Sequence, residues 1–127
     1  MAEAVYRKKV LSIDDNRDIH TVLKVRFEDA GYQFESAFSG QEGLDKVKSY
    51  APDVVLLDIM MPVMDGYEVL SRMKSDDATR NVPVIMLSAK RQREDVMKAV
   101  GLGAKDYLVK PVDFKRLLEK VERALAD

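Results

Sequence analysis

Cysteine is absent from all 127 residues, which excludes disulfides and thiolate-ligated metal centres. Its absence is compatible with a reducing cytoplasm. Neither sign of charge dominates: 21 Lys and Arg stand against 22 Asp and Glu, for a formal net charge of −1. A chain so balanced has no global attraction to nucleic acid or to an anionic membrane. Long hydrophobic runs are missing as well. None approaches the ~18 residues of a membrane span, and the opening MAEAVYRKK lacks the apolar stretch of a signal peptide. No linker, low-complexity tract or internal repeat interrupts the chain. The expectation is a soluble, cytoplasmic protein with no direct contact to nucleic acid or membrane. It should form one domain over 1–127 with its core at about 9–126, the last helix ending where the chain ends.

What is present is an alternation of two hydrophobic periods. Hydrophobic residues make up 46% of the chain, enough to bury one core. Short apolar runs at Val10–Ile13, Val54–Leu57, Val84–Leu87 and Tyr107–Val109 read as parallel strands covered on both faces. Gln33–Ala37 mixes polar and apolar residues and reads as an edge strand. Between the runs the period is helical. Ile19, Val22, Leu23, Phe27 and Ala30 share one predicted face, as do Val69, Leu70 and Met73. Phe114, Leu117, Leu118, Val121 and Leu125 form the clearest stripe. Gly31, Pro52, Gly101 and Gly103 supply helix stops, Pro83 precedes the fourth strand, and Asn16 and Asp65 are suited to helix N-caps. The pattern is strand then helix five times, a doubly wound α/β domain with a five-stranded parallel sheet and five helices.

Within that frame the acids are oddly placed. VLSIDDN ends its apolar run in Asp14 and Asp15, and VVLLDIMMPVMDG puts Asp58 directly after four apolar residues. Ser88 and Lys110 follow the fourth and fifth strands. Ligands in open α/β sheets bind outside the carboxyl ends of the strands, so residues far apart in sequence converge on one edge. Three carboxylates so close repel, at about 4 kcal/mol for a pair 4 Å apart with an effective dielectric near 20. A hard cation with oxygen ligands is the natural counter-charge, and Mg²⁺ suits a site with few carboxylates and bound phosphate. With Lys110 as a mobile positive charge and Ser88 as a hydroxyl donor, the set describes phosphoryl transfer. One carboxylate of the three could itself be the nucleophile.

Asp14–Asp15 after strand one, Asp58 in LLDIMMPVMDG, Ser88–Ala89 after strand four, Tyr107 and Lys110–Pro111 together resemble the receiver domain of two-component response regulators. The likeness is to the single-domain kind found among chemotaxis regulators, and it runs from Lys9 to about Ala126. It implies a flavodoxin-like sheet in the order 2-1-3-4-5. Asp58 would be the phosphoacceptor, served by a sensor histidine kinase, a histidine phosphotransfer protein or a small phosphodonor. Asp15, Asp58 and the backbone carbonyl of Met60 would bind Mg²⁺ (Mn²⁺ being an alternative), and Asp14 would hold a metal-bound water. Lys110 would pair with phosphoryl oxygens, Ser88 would hydrogen-bond one of them, and Ala89 would leave room and offer its N–H. Lys110–Pro111 would be a cis peptide, Ser88 and Tyr107 the switch pair. Serine stands at 88 where threonine is commoner, and the hydroxyl is retained. The output would pass through helix four, strand five and helix five to a protein target, an output domain or a phosphorylation-dependent homodimer. Such a chain is no enzyme beyond its own phosphorylation and dephosphorylation.

Other functions fit less well. A phosphohydrolase of the haloacid dehalogenase type needs a second acid two residues after the first, where Met60 stands. A flavin or nucleotide module would want a phosphate loop after strand one, and Asp14–Asp15 would repel phosphate. A degenerate receiver, a binding module independent of phosphorylation, lacks one or more of the set, whereas none is missing here. His20, the only histidine, is expected to be solvated or to cap a helix rather than to bind metal. Met60, Met61 and Met64 read equally as loop packing or an adaptable contact surface. Residues 90–95, KRQRED, read as a solvated face, with a docking patch as the alternative.

Overall fold

A computed structural model describes residues 7–126. The chain runs β1 (Lys9–Ile13), α1 (Arg17–Asp29), β2 (Gln33–Ala37), α2 (Gly40–Ser49), β3 (Val54–Leu57), α3 (Gly66–Ser75), β4 (Val84–Ser88), α4 (Arg93–Gly101), β5 (Asp106–Val109) and α5 (Phe114–Ala126). All four strand pairings are parallel and the order is β2-β1-β3-β4-β5. The expected strands therefore stand, three of them one residue longer than the apolar runs. The mixed strand β2 does lie at an edge, where one side of its ladder is free.

Alternation along the strands divides the core in two. Val10, Leu56, Ile85, Leu87 and Leu108 face α1 and α5, packing with Leu23, Phe27, Leu117 and Val121. Leu11, Ile13, Val55, Leu57, Val84 and Met86 face α2, α3 and α4, packing with Val47, Val69, Leu70, Met73 and Ala99. Capping follows the sequence signals. Asn16 accepts from the Asp18 N–H at 2.9 Å, and Asp65 accepts from the Glu68 N–H at 2.9 Å. Gly31 and Gly103 adopt φ of 94° and 106°, the left-handed region that ends a helix at little cost to glycine. Gly101 is instead the last residue of α4.

The predicted face of α1 needs correction. Its buried stripe is His20, Leu23 and Phe27, spaced i, i+3, i+7, while Val22 is 60% exposed and Ala30 lies outside at the C-cap. Each residue turns the helix by about 100°, so once Leu23 points at the sheet Val22 must point along the surface. The methionines divide as well: Met61 and Met64 are buried in the core, and Met60 is 56% exposed. Helix α4 is the least embedded, with Ala99 its only buried residue and Met97 and Val100 exposed. Among the described residues, no helix is long and apolar enough to cross a membrane.

Candidate phosphoacceptor and metal site

The parallel sheet brings the carboxyl ends of its strands to one edge, and the backbone there is laced across strands. Asp14 N–H donates to Ala37 O, Asp58 N–H to Ile13 O and Lys110 N–H to Ser88 O, at 3.0, 3.0 and 2.9 Å. At this edge one oxygen each from Asp14, Asp15 and Asp58 lies within 4.8 Å of the others. Asp14 and Asp58 are buried and Asp15 is exposed, so the cluster opens to solvent on one side. Lys110 Nζ reaches in from the end of β5, 2.6 Å from Asp14 Oδ2 and 3.7 Å from Asp58 Oδ2. The Asn16 N–H donates to Asp14 Oδ1 at 2.9 Å, so both oxygens of that carboxylate are held.

Loop β3–α3 fixes Asp58 from below. Gly66 N–H donates to Ile59 O at 2.8 Å, and a side chain at Gly66 would collide with the carbonyl of Asp58. Glycine is therefore required for α3 to start so close under the acid. Burial pushes the Asp58 carboxyl above its ordinary value, and the charge of Asp14 adds to this. Lys110 opposes the shift, as do backbone N–H groups of Met60 and Ile59.

Three carboxylates against one ammonium leave a formal surplus of two negative charges. A divalent cation would cancel it, and the donors are all hard oxygens. The residues present thus fit Mg²⁺, with Asp14, Asp15 and Asp58 as the acids able to face it. Met60 itself is more than half exposed.

Ser88 ends β4 and is fully buried. Its Oγ accepts from the Lys90 N–H at 3.3 Å. The carbonyl of the same Lys90 accepts from the Tyr107 hydroxyl at 2.7 Å. The Tyr107 ring is half-buried against the α2/α3/α4 side of the core. Burial pushes its phenol up, and the neighbouring Ser88 hydroxyl pulls the other way. Ala89 is exposed beside the site, and Lys110–Pro111 is cis. In residues 90–95 Arg91 and Arg93 are solvated. Gln92 and Asp95 form a capping box, so Asp95 offsets the cations at the start of α4.

His20 departs from expectation. It is 4% exposed, neither solvated nor a cap, and its Nε2 lies 2.6 Å from the Asp14 carbonyl oxygen. A lone histidine early in a predicted helix gave no sign of this, because only the fold turns that helix face toward the acid loop.

The model of the response regulator receiver domain matches residues 10–122. The DNA-binding dual master transcriptional regulator RpaA of Synechocystis is 36% identical over 117 residues, 92% of this chain and 48% of that protein. The alkaline phosphatase synthesis transcriptional regulatory protein PhoP of Bacillus subtilis is 35% identical, over 93% of this chain and 48% of its own length. This chain thus spans about half the length of these curated relatives. Among solved structures, chemotaxis protein CheY4 of Vibrio cholerae superposes with a TM-score of 0.89 at 32% identity, covering 94% of this chain and 100% of that one. A putative response regulator from Chloroflexus aurantiacus superposes with a TM-score of 0.91 at 30% identity, covering 96% and 100%.

Proposed function

The chain belongs to the response regulator receiver family, and from that premise we propose that it accepts a phosphoryl group on Asp58 and relays the event by a change of surface. The carrying observation is the acid cluster: three carboxylates with ligand atoms within 4.8 Å of one another, crossed by Lys110. The donor is a phosphohistidine on a sensor kinase or a phosphotransfer protein. An oxygen of Asp58 attacks phosphorus, the P–N bond breaks, and its electron pair returns to the donor imidazole, leaving an acyl phosphate on Asp58. A chain that works with such kinases would act in the cytoplasm.

Asp15, Asp58 and the Met60 carbonyl would hold Mg²⁺ (or Mn²⁺), with Asp14 holding one of its waters. When bound, the cation neutralises the acids and the incoming phosphoryl oxygens. Lys110 supplies the remaining positive charge, and Ser88 donates to a phosphoryl oxygen. Ala89 leaves space beside it. Hydrolysis of the acyl phosphate returns the chain to rest, and these self-directed steps are its only catalysis. The signal leaves through α4, β5 and α5, toward a protein target, an output domain or a second copy. A phosphorylation-independent binding module is disfavoured because Asp14, Asp15, Asp58, Ser88 and Lys110 are all present.

Intact-mass measurement after incubation with a small phosphodonor tests the proposal. The wild type should gain one phosphoryl mass with Mg²⁺ and little in EDTA, and Asp58→Asn should gain none. A full gain in EDTA, or in the Asn variant, would sink it.

A further inference from the structure

His20 is a buried polar group with no part in the chemistry above. Its Nε2 faces the Asp14 carbonyl oxygen at 2.6 Å, and because a carbonyl only accepts, Nε2 carries the hydrogen. Its Nδ1 is buried with no partner, the only such side-chain atom among the described residues. An orphaned buried acceptor costs about 1–3 kcal/mol. Leucine at this place would continue the Leu23–Phe27 stripe without that cost. The ring is also aimed: it meets Phe38 in a T-shaped pair with centroids 4.8 Å apart and planes at 74°. Phe38 in turn lies under the Arg17 guanidinium at 4.4 Å, and its N–H donates to Glu42.

We infer that His20 is a positioning residue of the acid site, acting through the Asp14 carbonyl on Asp15. The inference deepens the metal reading and rests on it for function. The Asp14 carbonyl and the Asp15 N–H belong to one planar peptide. Asp14 is held at its N–H by Ala37 and at its carboxylate by Asn16 and Lys110. Holding its carbonyl as well removes the remaining rotation of that peptide and sets where Asp15 leaves the backbone. Asp15 is exposed, so no packing aims it. Groups that orient metal ligands from behind carry a large share of metal affinity.

The test uses the full chain with His20→Phe, which keeps a ring and removes the donor, and His20→Gln, which keeps an N–H. Isothermal titration measures Mg²⁺ affinity, and ¹⁵N spectra of the metal-free protein report the Asp15 amide. Phe at 20 should lower Mg²⁺ affinity roughly 10–100-fold and move the Asp15 amide, and Gln should restore most of both. In the wild type, long-range ¹H–¹⁵N spectra should place the ring hydrogen on Nε2. Wild-type affinity in the Phe variant with an unmoved Asp15 amide would overturn the inference, as would equal losses in both variants. If the Phe variant does not fold, the Gln variant and the wild-type ring spectra decide. If the wild type binds no Mg²⁺, the metal reading fails, and the Asp15 amide still tests the role of His20.

Discussion

Asp58 is a carboxylate kept where a carboxylate is costly. Burial and the charge of Asp14 raise its pKa from the ordinary 3.8, so the native chain holds a proton that the unfolded chain releases more easily. Stability from this proton is full below about pH 3.8 and is lost as pH rises through the raised value. At neutral pH the ionised group therefore weighs against the fold. Asp58→Asn should raise Tm by a few degrees at pH 7 without metal, and the gain should vanish near pH 3. Mg²⁺ should stabilise the wild type more than the Asn variant and narrow the gap. Thermal melts at several pH values check this, and a less stable Asn variant at pH 7 would contradict it. Lys110 is the opposite case. Its ammonium lies 3.7 Å from Asp58 and competes with any cation for the same field. Lys110→Ala should leave Mg²⁺ affinity intact or raise it by roughly tenfold, while uncoupling phosphorylation from the remote response. Weaker Mg²⁺ binding with an intact fold would count against that role.

Among the elements, strands were the most legible because burial on both faces leaves little but Val, Ile, Leu and Met in them, as in Val54–Leu57 and Val84–Leu87. Helix existence was equally plain, helix orientation less so. Apolar residues on α1 admit more than one stripe, and packing chose His20–Leu23–Phe27 over the one containing Val22. The acids at the strand ends were visible because Asp14 and Asp58 follow directly on apolar runs. His20 was not, because its partner is a backbone carbonyl, which has no sequence signature. Nor could sequence reveal how loosely α4 is held. That helix buries only Ala99; one phenol bonds into it, and a second bonds Lys90 in the loop before it. Tyr67, from α3, donates to the carbonyl and carboxylate of Asp95, both at 3.3 Å, while Lys98 lies over its ring. Burial, and then the charge of Asp95, raise the Tyr67 pKa to about 12. Stability from its retained proton is full below about pH 10 and lost as pH rises through about 12. Tyr67→Phe should therefore show a shallower loss of stability between pH 10 and 12 than the wild type, measured by denaturant melts. It should also exchange amide hydrogens faster in α4. An unchanged alkaline slope would mean that the phenol is not protected.

At the scale of the whole molecule, one residue, Lys90, links Ser88 at the acid site to Tyr107 on β5. The Lys90 N–H donates to Ser88 Oγ, and the Lys90 carbonyl accepts from the Tyr107 hydroxyl. A phosphoryl group on Asp58 that draws the Ser88 hydroxyl toward itself must compete with the Lys90 N–H. Under the proposed relay, Lys90 would then shift, and with it the carbonyl that accepts from Tyr107 and the start of α4 behind it. Tyrosine tolerates either position because its ring is apolar and its tip polar. Two such arrangements would differ by only a few kcal/mol, and phosphorylation would change their weights through the contacts it makes in one of them. Beryllofluoride with Mg²⁺, as a phosphoryl mimic, should thus move amide signals through Lys90, Tyr107, α4 and α5, well beyond the loops around Asp58. Ser88→Ala removes the hydroxyl at the head of this linkage and should suppress the remote shifts while the mimic still binds. Tyr107→Phe keeps the ring but cannot donate to Lys90, so it should shift α4 signals before any mimic is added. Signals that move only in the loops after β1 and β3, with α4 and Tyr107 unchanged, would sever the site from the surface and refute the switch. Remote shifts persisting in full in Ser88→Ala would place the linkage elsewhere.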